Sequence, residues 1–78
     1  MIVKVSRVVL PTEHENQKWL VLKGEIEGCP QVTKTRSINT AALASGALTL
    51  EAEKAMLIAD VEEYFARWQA VQQAVSEL

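Results

Sequence analysis

Two hydrophobic periods divide the chain. Over residues 57–78, Leu57, Val61, Tyr64, Trp68, Val71, Val75 and Leu78 recur at steps of 4, 3, 4, 3, 4 and 3. That spacing puts all seven on one stripe of an α-helix. Leu50 extends the stripe backwards by seven residues. Thr49 is a good N-cap, and Glu51 and Glu53 in the first turn suit the positive end of the helix dipole. These signals predict a long helix over 50–77, with Glu63 and Arg67 as a favourable i,i+4 pair.

The first half of the chain has the period of a strand. In WLVLKGEIEG, Leu20, Leu22 and Ile26 share one parity with Gly24, and Lys23, Glu25 and Glu27 share the other. This is the alternation of a half-buried antiparallel strand. Trp19 and Val21 fall on the charged parity, so that face is partly covered at one end. Gly24 inside the strand marks a bulge or a close backbone approach. IVKVSRVVL is β-branched, mixes charge into both parities and is closed by Pro11, which suits an edge strand or one that bends. In QVTKTRSIN, Val32 and Ile38 share a parity with Lys34 and Arg36 between them, which predicts apolar ends and a solvated middle, or a bulge. PTEHENQK reads as a polar loop and GCP as a turn. The strands are expected near 2–10, 17–27 and 31–38.

Between the halves lies AALASGALTL, which carries no charge. It has neither the G-x-S-x-G of a nucleophile elbow nor the glycines and lysine of a phosphate loop. It reads as a joint: Asn39 or Thr40 caps a short helical turn through Ala41–Ser45, Gly46 ends it in the left-handed region, and Thr49 starts the long helix. The fold class is therefore α+β. A meander of about three antiparallel strands is followed by a long C-terminal amphipathic helix packed on the sheet. The chain makes one domain over 1–78, with the sheet in 1–39, the joint in 40–49 and the helix in 50–78.

Length limits the core. A chain of 78 residues buries only about 60% of the surface its unfolded form exposes. Domains this small recover stability through disulfides, metals or self-association. Cys29 is the single cysteine and His14 the single histidine, so an intrachain disulfide is excluded and no Cys/His metal cluster is expected. Self-association remains. Ala55, Ala59, Ala66, Ala70 and Ala74 form a broken small-residue strip, read as lying beside the apolar stripe. High helix propensity accounts for alanines of this kind. The sharper reading is a homodimer or partner interface made by Ala59, Ala66, Ala70 and Ala74 with Phe65 at the stripe's edge.

Charge is uneven. Residues 1–39 hold six basic and four acidic groups, and residues 40–78 hold two basic and six acidic, for a net charge of −2. Lys23, Lys34 and Arg36 are the candidates for a basic sheet face that would take nucleic acid, with Trp19 as a stacking surface. Catalytic constellations are lacking. His14 reads as a solvated loop histidine between Glu13 and Glu15, Cys29 as a turn thiol, and Asp60, Glu62 and Glu63 as a hydrated acidic face. No catalytic, cofactor or metal residues are therefore assigned, and no enzyme is expected. Lys4 and Arg7 interrupt the first apolar run, which argues against a signal peptide. No stretch reaches the roughly 20 apolar residues of a membrane span. The expected setting is cytoplasmic.

The motif Gly24-x-Ile26-x-Gly28-x-Pro30, followed by Thr35-x-Ser37-Ile38 and then by Asp60 to Trp68 with Tyr64, resembles a pattern in small uncharacterised phage-encoded proteins. The resemblance spans about residues 19–68. In such proteins the position of Cys29 is often histidine, and a further strand hairpin follows the serine-isoleucine element. Here that stretch is alanine-rich and favours helix. The resemblance implies a phage context, a host-cell cytoplasmic location, and a role in blocking host machinery. The expected function is thus a non-enzymatic protein-binding module. It would be an anti-CRISPR-like or other anti-defence inhibitor that occludes a host protein, as a homodimer. The alternative is a small nucleic-acid-binding accessory protein that uses the basic sheet face.

Overall fold

Three strands pair in chain order. The computed structural model describes residues 2–12 and 17–78, and within them β1 (Val3–Val8), β2 (Trp19–Ile26) and β3 (Cys29–Asn39) form an antiparallel sheet with β2 at its centre. Two helices follow, α1 (Thr40–Ser45) and α2 (Leu50–Ser76). This is the α+β meander and long helix that the two periods predict. The helix starts at Leu50, directly after Thr49, as the capping signals predict.

Register explains the two faces of the sheet. Val3, Val5 and Arg7 oppose Ile26, Gly24 and Leu22, while Lys34, Arg36 and Ile38 oppose Gly24, Leu22 and Leu20. Opposed residues share a face, so all of these point toward α2. The core lies there: Leu22, Ile26, Cys29, Val32, Ile38, Leu57 and Val61 are buried, with Val3, Val5, Leu20, Leu43, Leu48, Tyr64, Phe65 and Trp68 packed around them. Residues of the other parity make the open face.

Gly24 sets how closely helix and sheet meet. A Cβ placed on it would fall 2.9 Å from Val61 Cγ2 and 3.2 Å from Leu57 Cγ. The glycine in the central strand therefore marks a close approach. The irregularity in the β2–β3 ladder falls two residues later, between Glu25 and Ile26. β3 begins at Cys29, so the turn is tighter than GCP suggests, and Pro30 is tolerated because β3 is an edge strand.

The joint is built as its residues predict. Asn39 Oδ1 accepts from the Ala41 and Ala42 amides and caps α1. Gly46 follows in the left-handed region at φ 84°, and its amide donates to the Leu43 carbonyl. Thr49 Oγ1 accepts from the Ala52 amide and caps α2. Leu43 and Leu48 pack against the core, and Thr40 Oγ1 donates to the Gln17 carbonyl, tying the joint to the start of β2.

Helical phase and the length of the sheet decide which residues of α2 are covered. Ala55, Ala59 and Ala66 lie on the side of α2 away from the apolar stripe, while Ala74 lies beside it, three residues from Val71 and four from Leu78. Ala66 lies nine residues from Leu57, two and a half turns at 3.6 residues per turn, and so on the opposite face. Ala55, Ala59, Ala66, Ala70 and Ala74 are all exposed. The sheet covers the middle of the stripe. Leu57 and Val61 are wholly buried and Tyr64 and Trp68 half-buried, but Leu50 is exposed at one end and Val71, Val75 and Leu78 at the other. A helix of 27 residues is about 40 Å long, longer than an eight-residue strand can support. The radius of gyration, 15.1 Å, and extents of 50 × 25 × 17 Å show the result. A compact chain of this length would have a radius near 11–12 Å.

Gly24→Ala should lower stability by about 1–3 kcal/mol, because the β-branched Val61 cannot give way without moving the helix. Chemical denaturation checks this. Gly46→Val should cost about 2 kcal/mol for a different reason: no atom crowds the site, and the penalty is the left-handed backbone alone.

Candidate functional site

The cations of β3 were expected in solvent or on nucleic acid. The structure places Lys34 and Arg36 on the helix side, on the same parity as buried Val32 and Ile38. Arg36 Nε donates to Glu53 Oε2, and its Nη2 lies 3.5 Å from Met56 Sδ. Glu53 is 4% exposed, a buried carboxylate in the first turn of α2. Lys34 Nζ sits 4.8 Å above the centre of the Tyr64 ring, a cation–π contact. The two β3 cations therefore seam the edge strand to the helix. Lys23 opposes Thr35 and lies on the open face. Lys23, Lys34 and Arg36 do not form one basic surface, because adjacent parities of a sheet point to opposite sides. The pairing left a signal in the sequence: two cations lie between core residues of the same parity, which asks for an acid on the covering element.

Next to this seam runs a surface groove of about 370 Å³, lined by Lys34, Thr35, Asp60, Glu63, Tyr64 and Arg67. It gathers two acids, two bases and a phenol. Glu63 accepts from Arg67 Nη2 as the expected i,i+4 pair, and both side chains are mostly exposed. Asp60 and Glu63 share the groove, three residues apart on one side of α2. Phe65, expected at the edge of the stripe, is half-buried and stacks on Trp68 with ring centres 6.1 Å apart and planes 14° from parallel.

The open face has its own order. Val8, Val21 and Ser37 make one row across the sheet, Ser6, Lys23 and Thr35 the next, and Lys4, Glu25 and Thr33 the third. Trp19, opposite Asn39, stands at the apolar end and is 37% exposed. The face thus grades from aromatic and aliphatic to hydroxyl and charged.

The remaining candidates are placed as follows. Cys29 is buried at the start of β3, with Sγ 3.6 Å from Gln31 Oε1. His14, with Glu13 and Glu15, lies outside the described residues. Among the described residues, no group of three or more His, Cys, Asp or Glu is placed to hold a metal ion, and no helix is long and apolar enough to cross a membrane. No family model, curated protein or solved structure matches the chain.

The Arg36–Glu53 pair makes an asymmetric prediction. Arg36→Met strands a buried carboxylate and should cost about 1–3 kcal/mol. Glu53→Met should cost less, because Arg36 is already about a third exposed, at 32%, and can turn to water. The double variant should regain most of the loss, since an apolar pair of similar volume replaces a desolvated one. Thermal melts of the three variants check the order.

Proposed function

We propose that this chain is a non-enzymatic protein-binding module, a phage-type inhibitor that occludes a host defence protein and acts as a homodimer. The observation that carries the binding reading is the graded open face, with Trp19 exposed beside Val21 and Val8 and ringed by Ser37, Lys23 and Thr35. Tryptophan with an apolar neighbourhood and a polar rim is the usual composition of a binding hot spot. An occluding protein needs a rigid surface and no reactive cluster, and a three-stranded sheet braced by one helix supplies the first. The resemblance of Gly24-x-Ile26-x-Gly28-x-Pro30 to small phage-encoded proteins supports the phage setting. The nucleic-acid reading is weakened by the division of Lys23 from Lys34 and Arg36 across the sheet.

Tagged protein passed over bacterial lysate should retain a specific host protein. A Trp19→Ala, Lys23→Glu variant with an unchanged circular dichroism spectrum should lose at least about tenfold of that affinity. No retained protein, or equal retention by the variant, would count against the reading. A fluorescence titration with labelled single-stranded and duplex DNA should show no salt-sensitive binding near physiological ionic strength; such binding would favour the nucleic-acid alternative.

A further inference from the structure

The projecting end of α2 is the surface that the core leaves unfinished. Its stripe continues the 4, 3 spacing of the buried stripe without a break, through Trp68, Val71, Val75 and Leu78. Val71 and Val75 are each 57% exposed and Leu78 fully so. Residues 68–76 carry no charge. An isolated helical end of this length is marginal in water, and an a/d-type apolar seam is stable only when another helix covers it.

We propose that the occupant is the same segment of a second copy, paired antiparallel about a two-fold axis near Gln73. This deepens the homodimer part of the reading above and rests on it. Self-complementarity is the first reason. In that arrangement Val71 of one copy meets Val75 of the other, and Trp68 meets Leu78, so each layer joins one a-type and one d-type position. The Phe65–Trp68 stack at the edge of the sheet is then the platform on which Leu78 of the second copy lands.

Volume is the second reason. The seam and the sheet lie on the same side of α2, since both use one stripe. A parallel pair would place both sheets in the same space. The antiparallel pair puts them at opposite ends, and each helix end fills the layer that the sheet vacates beyond Trp68.

Charge is the third. Gln72 and Ala74 flank the seam, so no like charges oppose self-pairing, and none select a charged partner. The last turn of α2 holds no basic residue to offset its negative end, only Glu77 following it. Arg67 of the second copy lies level with that end and supplies the missing positive charge. The overlap is short, about ten residues a side, well under the 20–30 of a standard interface. A weak dimer follows.

Sedimentation from about 10 μM to 1 mM should show a rising dimer fraction. Val71→Glu with Val75→Glu should leave only monomer across that range. Ala59→Glu with Ala66→Glu, on the opposite face, should leave the dimer unchanged. Spin labels at Lys54→Cys in a Cys29→Ala background should read about 55–60 Å apart in the dimer, from 38 residues of axial offset at 1.5 Å each. A parallel pair would give less than about 25 Å. A monomer at 1 mM, a dimer lost to the alanine changes instead, or the short label distance would each overturn the proposal. A monomer that still captures a host protein would sink the second copy alone. A dimer of this geometry that captures none would sink the host-protein reading alone.

Discussion

The contact between Gly24 and the pair Leu57 and Val61 is the constraint on which the structure depends. A side chain at Gly24 would stand where Val61 Cγ2 and Leu57 Cγ already are. Its absence lets the helix axis settle on the central strand, and both helix residues become wholly buried. The rest of the seam takes its position from that line. Lys34 is opposite Gly24 and Arg36 opposite Leu22, so both cations of the edge strand fall alongside the helix. One meets Glu53 and the other the face of Tyr64.

Among the described residues a core of seven buried side chains has to do its work with little apolar area. The chain responds by using long polar side chains at the margin. Arginine and lysine lay their stems along the seam while their heads meet an acid and an aromatic ring, which extends the covered area at the edge of the core. The same shortage shows at the far end of α2. The helix continues well past the last half-buried aromatic, with its apolar stripe intact and Val71, Val75 and Leu78 exposed. A helix that outlasts its sheet is a poor use of apolar residues in a monomer, and a reasonable one in a protein that meets a second surface.

Much of the build was legible in single residues. The change from period two to period 3.6 falls where the strands give way to α2. Asn39, Gly46 and Thr49 mark the joint by backbone chemistry that needs no tertiary contact: two side-chain caps and one left-handed residue. The Glu63–Arg67 pair is likewise local, since four residues bring two side chains together on any helix. The candidate surfaces were less legible. Lys23, Lys34 and Arg36 are alike in composition, and only the sheet's parity separates the first from the other two. The alanines fit a second interface by type, and helical phase turns Ala55, Ala59 and Ala66 away from the stripe.

By itself, then, the sequence determined the order and kind of the elements, the joint between them and the stripe the helix would bury, because each follows from local backbone preference and from the spacing of apolar residues. Only the tertiary structure decided how far that stripe is used, which cations are taken up by the helix, and why a glycine stands in the central strand. Those depend on the finite length of the sheet and on which atoms meet across it, and neither is a property of any one segment.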